Sequence, residues 1–178
     1  MSWNLSPIRP NAILACALIA LIVCPVSFTS ALAQTGDPRE IDAVLTRAED
    51  IFKAMKARNC PAVWSLLSAR SKDSIVNDTH KRMAEGGAGY SRDQVRSDFQ
   101  AGGLISKSYW TNYLAAFDPD VPLEQSKWEM DFVKAETAQV RIQYKKSDKP
   151  VYLQMYKEQG AWKVGLEETF GARKWLLK

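Results

Sequence analysis

The feature that most constrains this chain is a change in the spacing of its apolar residues near Pro122. Before that point apolar side chains recur at steps of three and four, the period of a helix that buries one stripe. After it they alternate with polar residues, the period of a strand that buries one face. A chain that is helical first and stranded afterwards is expected to fold as α+β, its helices covering the apolar face of an antiparallel sheet.

The first helix is the clearest element. Asp37 reads as its N-cap and Pro38 occupies the first helical position, while Glu40 stands where a capping box would have it reach back. Ile41, Val44, Leu45, Ala48, Ile51, Phe52 and Met55 form its apolar stripe, and Asn59 is suited to end it in a left-handed conformation. Pro61 opens a second helix with Val63, Trp64 and Leu67 inward. A more polar third helix is expected from Ser71, carrying Ile75, Val76 and Met83 and stopped by Gly86-Gly87. Ser91 and Gln94 form a capping box with Tyr90 and Val95 as its staple, so residues 92–101 are a fourth helix ended by Gly102-Gly103. A fifth runs from Ser106 with Trp110, Tyr113, Leu114 and Phe117 on one face, and Asp118-Pro119-Asp120 ends it.

Four strands follow. Trp128, Met130 and Phe132 point inward from the first, and Ala138, Val140, Ile142 and Tyr144 from the second. Ser147 to Pro150 turns the chain into Val151, Leu153 and Met155, and Glu158-Gln159-Gly160 turns it again into Trp162, Val164 and Leu166. Short turns between all four predict an antiparallel meander.

The first 33 residues have the three parts of a secretory signal peptide: a polar start carrying Arg9, an apolar run from Ala12 to Val23, and Ala31-Leu32-Ala33 as a small-x-small cleavage site. The run falls short of the ~20 residues that span a bilayer, and Pro25 interrupts it. Leu21-Ile22-Val23-Cys24 resembles the motif before a lipidated cysteine, but Val23 replaces the small residue that motif needs, and Pro25 follows. The expected organisation is therefore a signal peptide over 1–33, a short linker over 34–37 and one domain over 38–178. The expected location is periplasmic or secreted, with no stable membrane span after cleavage. Cys16 and Cys24 leave with the signal, so Cys60 has no partner for an internal disulfide. A net charge of +4, scattered along the chain, argues against nucleic acid as a partner.

The order of elements, with Ile51-Phe52-Lys53-Ala54-Met55-Lys56-Ala57, Trp64-Ser65-Leu66-Leu67-Ser68, Val151 to Tyr156 and Gly160-Ala161-Trp162-Lys163-Val164, resembles the nuclear transport factor 2-like superfamily. The last segment matches the gly-x-trp-lys-val strand common in exported relatives. The resemblance covers most of residues 38–170 and implies a cone: N-terminal helices packed on a curved four-stranded antiparallel sheet. It also implies a choice of activities, because the superfamily holds isomerase-like, dehydratase-like and cyclase enzymes beside non-catalytic binding domains. Its enzymes place Asp, His or Tyr inside the cone. Here Tyr144 is the only inward strand residue with a polar tip, and no acid accompanies it unless the last strand runs regularly to Phe170, which would aim Glu168 inward. A strand end near Thr169 would turn Glu168 to water, the outcome favoured by the rarity of buried acids.

The remaining constellations have simple structural accounts. His80 lies in a polar segment without an orienting partner, and a single histidine excludes a zinc triad. Cys60 stands at a helix mouth that could activate a thiol, but no local base appears, and a buried junction residue is the expectation. Asp118-x-Asp120 lacks the spacing of a calcium loop, and Glu129-x-Asp131 faces solvent, where Arg141 or Lys145 can pair with it. The aromatic side chains are more suggestive. Core packing explains most of them, yet the cone implied by the resemblance favours a pocket lined by Trp64, Trp110, Tyr113, Trp128, Tyr144 and Trp162.

The expectation is thus an exported, non-enzymatic domain that binds an apolar small molecule or a protein partner, with no cofactor, metal or catalytic residue. One alternative is an isomerase, cyclase or hydratase using Tyr144 as donor and Glu168 as base. Another is an accessory domain of an envelope assembly. A homodimer or an envelope protein would then use the outer sheet face, where Arg141, Gln143, Tyr152, Gln154, Tyr156 and Lys163 mix polar and aromatic groups.

Overall fold

The computed structural model describes residues 36–171. The expected signal peptide and the tail from residue 172 onward lie outside the described residues.

Helix α1 (Pro38–Lys56) starts as expected, with the Asp37 carboxylate accepting the Arg39 N–H at 2.9 Å. Glu40 does not close a capping box. Its two carboxylate oxygens instead accept from Lys157 Nζ and Trp162 Nε1, both at 2.9 Å. The physical reason is register. Lys157 lies opposite Trp162 across two strands, so a cation stands on the inner sheet face at the end nearest the start of α1, and Glu40 is the anion that meets it.

Helices α2 (Cys60–Leu66), α3 (Ala69–Glu85), α4 (Arg92–Ala101), α5 (Leu104–Ala116) and α6 (Asp120–Glu124) follow. The Ser91–Gln94 capping box is present, with Val95 fully buried behind it and Tyr90 about half exposed. Helix α3 begins two residues earlier than its polar sequence suggests, because Ser68 caps it by accepting the Ser71 N–H. Helix α5 also begins early, and α6 is an addition to the expected elements. It follows Asp118, whose carboxylate accepts the Asp120 N–H, and it keeps Pro122 within its first turn, where a missing N–H costs little.

Strands β1 (Ser126–Val133), β2 (Thr137–Tyr144), β3 (Val151–Glu158) and β4 (Ala161–Gly165) form one antiparallel sheet in the order β1-β2-β3-β4. This is the α+β class read from the change in period. Trp128, Met130, Val140, Leu153, Met155 and Val164 share its inner face, which packs on the α1 stripe of Val44, Ala48, Ile51, Phe52 and Met55. Phe132 departs from expectation. The β1–β2 register shifts between Met130 and Phe132, so that Val133 joins Ala138 inside and Phe132 pairs with Gln139 on the outer face. There the Lys134 ammonium lies 5.0 Å from the Phe132 ring centroid.

The chain after β4 differs as well. Gly165 sits under Tyr156, where a Cβ would lie 2.6 Å from Cε2, and the chain then turns into helix α7 (Leu166–Phe170). Leu166 is buried as expected, but from a helix. Because β4 stops opposite Gln154, the Gln154 N–H is satisfied by Thr169 Oγ1 at 2.9 Å rather than by a strand. The free side of β4 is covered by a parallel bridge to Leu67, with the Ser68 N–H donating to the Val164 carbonyl.

Glu168 therefore sits half-buried on α7, its carboxylate turned toward the start of α3. Its carboxylate accepts from Ser68 Oγ at 2.8 Å and from Ser71 Oγ at 2.5 Å, both serines being fully buried. Each hydroxyl also accepts a backbone N–H, from Ser71 and Glu167 respectively, so the cluster ties α7 to the start of α3.

Two consequences can be measured. Glu168→Ala leaves two buried hydroxyls without their acceptor and should cost about 1–3 kcal/mol in urea unfolding, with Glu168→Gln milder. At Glu40, hydrogen bonds from Lys157 and then Trp162 lower the carboxyl below its ordinary 4.5. Its stabilisation is complete above that value and disappears as the pH falls through the lower folded value. Glu40→Gln should therefore flatten part of the loss of unfolding midpoint between neutral and acidic pH.

Candidate functional site

The site is built at the corner where α1 ends, α2 begins and α5 crosses them. Helix α1 closes in a Schellman motif, with the Asn59 N–H donating to the Ala54 carbonyl and the Arg58 N–H to Met55. The left-handed residue is Arg58, at φ 52°, not Asn59. Asn59 is already committed to the next helix: its side chain accepts the Ala62 N–H at 3.1 Å, which needs an N-cap conformation. In the three-residue junction Ala57 is the C-cap of α1 and Asn59 the N-cap of α2, which leaves Arg58 to take the left-handed position and sets its side chain at the corner.

Helix α5 is positioned by two glycines. Gly102, at φ 68°, ends α4 against Pro61 of α2, where a Cβ would come within 2.7 Å of the proline ring. A Cβ on Gly103 would fall 2.0 Å from the Asp98 carboxylate, which is seated there because it accepts the Ser106 N–H at 2.7 Å and so caps α5. Lys107, Trp110, Thr111 and Leu114 then share one face of α5 and meet Met55, Arg58, Cys60 and Val63 around a cavity of ≈ 270 Å³.

The cavity wall is mainly apolar, from Met55, Val63, Leu114 and the Trp110 ring. Its charged groups are of one sign. Arg58 and Lys107 bring positive charge, and neither forms an ion pair among the described residues. Lys56, one turn before the corner, is different. Its ammonium lies 2.6 Å from both Asp120 and Glu124, whose hydrogen bonds hold it above the ordinary lysine range, Asp120 contributing most. The Trp110 Nε1–H is buried without a hydrogen-bond partner, as are the hydroxyls of Tyr113 and Ser106 on the same inward stripe of α5. Burial, reinforced by Tyr109, pushes the Tyr113 phenol well above its ordinary value, so it stays a neutral hydroxyl at any ordinary pH.

The six residues expected to line one pocket do not converge. Trp64 stacks on Phe99 with centroids 5.0 Å apart, inside the helical layer. Trp110 lines the cavity just described and touches Tyr113 edge-on at 5.4 Å. Trp128 lies on the other side of α1, donating to the Pro122 carbonyl at 2.7 Å beside an acidic cleft with Asp42 and Glu49. Tyr144 lines a second apolar cavity of ≈ 210 Å³ with Phe52, Phe117 and Phe170. Trp162 is spent on Glu40. These groups are separated because Val140, Leu153, Met155 and Val164, with no exposed surface, fill the middle of the inner sheet face. Tyr144 and Glu168 are not brought together either, since Glu168 lines neither cavity and both its oxygens are engaged by serines.

Arg58, Lys107 and Thr111 were not singled out by sequence, although the 107/110/111/114 spacing marks one helical face. Cys60 is 7% exposed and forms part of the cavity wall. His80 is partly buried on α3, and among the described residues no three His, Cys, Asp or Glu side chains gather as metal ligands. No helix among the described residues is long and apolar enough to cross a membrane. Comparison with family models, curated proteins and solved structures gives no match for this chain.

The position of Cys60 has a direct test. Its burial should make alkylation by iodoacetamide slow in native protein and fast in urea, and a molecule seated in the cavity should slow the native reaction further. Mass spectrometry of the modified peptide reads both rates.

Proposed function

We propose that this chain is an exported binding domain that holds a small, largely apolar molecule between α1, α2 and α5. The observation that carries the reading is the preformed ≈ 270 Å³ cavity beside Trp110, half open to the surface and lined by Met55, Val63 and Leu114. An apolar cavity of about 150 Å³ accepts benzene, so this one suits a ligand of roughly ten heavy atoms, small beside drug-sized ligands. Export follows from the signal-like first 33 residues, and a place in the nuclear transport factor 2-like superfamily is part of the proposal, supported by helices that precede an antiparallel meander.

A second reading, docking of a protein on the outer sheet face, is favoured by one feature. Tyr152 is 42% exposed there, next to Arg141, which is held by Glu129 at 2.6 Å.

The test is occupancy of the cavity by the protein's own side chain. Saturation-transfer NMR with 1-octanol should show binding to the native protein. Leu114→Trp should abolish it while keeping a cooperative thermal transition. Octanol binding that persists in Leu114→Trp would reject the site.

A further inference from the structure

We infer that the molecule held at the α1–α2–α5 corner is a carboxylate with a short apolar body, its acid group read by Arg58 and Lys107. The inference rests on the binding reading above and adds the sign and chemistry of the head group.

Two observations carry it. Every charged group on the cavity wall is positive, and neither Arg58 nor Lys107 has a carboxylate partner among the described residues. The neighbouring Lys56 shows what compensation looks like in this protein, being clamped by Asp120 and Glu124 at 2.6 Å each. The elements around the cavity also offer no anion of their own, since α2 and α5 contain no acidic residue and neither does the last turn of α1.

These features describe a ligand with two ends. An apolar body replaces water against Met55, Val63, Leu114 and the Trp110 ring. An acceptor-only head then meets two cations at the rim, where charge-assisted hydrogen bonds are stronger than neutral ones. Arg58 suits this role because its planar fork matches a carboxylate bidentately, and the Schellman turn fixes where that fork begins. A cationic or zwitterionic ligand of the same size would place positive charge against Arg58 and Lys107.

Octanoate, 1-octanol and octylamine share one apolar chain and differ in the head, so calorimetric titration of the protein with each separates the two claims. Octanoate should bind at least about tenfold more tightly than 1-octanol, octylamine should bind least, and added salt should weaken only octanoate. Arg58→Asn, which keeps a residue tolerant of the left-handed conformation, and Lys107→Gln should each weaken octanoate about fivefold and leave 1-octanol unchanged. Lys107→Glu should bring octylamine above octanoate. Equal affinity for octanoate and 1-octanol, or octanoate binding indifferent to both charge-removing variants, would overturn the acidic head while leaving the apolar cavity standing. Failure of all three to bind would remove the binding reading as well.

Discussion

The structure depends on the burial of one helical stripe. Val44, Ala48, Ile51, Phe52 and Met55 face the inner side of the sheet, and all are essentially without exposed surface. The larger of these side chains are each worth about 1.5–3 kcal/mol when removed from water, and they pack in one cluster with the inward residues of the strands. Everything else is arranged around that contact. The start of α1 lies over the inner sheet face, where Glu40 meets Lys157 and Trp162.

Packing of that kind is directionless, and polar groups supply the registry. Glu40 gathers one cation and one indole N–H from two strands, and Glu168 gathers two serine hydroxyls from the start of α3. Thr169 completes the ladder where β4 falls short of β3, while Leu67 and Ser68 close the other side of β4. Each device answers a backbone or side-chain group that would otherwise be buried without a partner, at a cost comparable to a lost hydrogen bond.

The inward stripe of α5 stands apart. Ser106, Trp110 and Tyr113 place three polar atoms out of water without partners, beside a cavity whose charges are likewise uncompensated. Lys56 and the Trp162 Nε1–H, by contrast, are settled by nearby carboxylates. An apolar cavity with two unpaired cations on its wall makes the corner the functional candidate. The aromatic richness of the sequence does not by itself single it out, since Trp64, Trp128 and Trp162 are engaged elsewhere.

Local periodicity was enough to determine the class, five of the helices and all four strands, because spacing at three to four or at two residues is decided by which side chains avoid water. The Ser91 cap was legible as well, and Arg141 was one of the two cations expected to pair across the strands with the Glu129-x-Asp131 acids, because these groups are close in sequence or in strand register. Periodicity did not reach the bulge that turns Phe132 outward, the end of β4 at Gly165, or the destination of Glu168, because each is decided by a neighbour from a distant element: the β2 register, the Tyr156 ring and the buried serines. The site belongs to the second group. Met55, Arg58, Cys60, Lys107 and Trp110 come from three helices and the α1–α2 junction, and they meet where Gly102 lets α4 end against Pro61. A cavity is a gap between elements, and no property of one element alone encodes it.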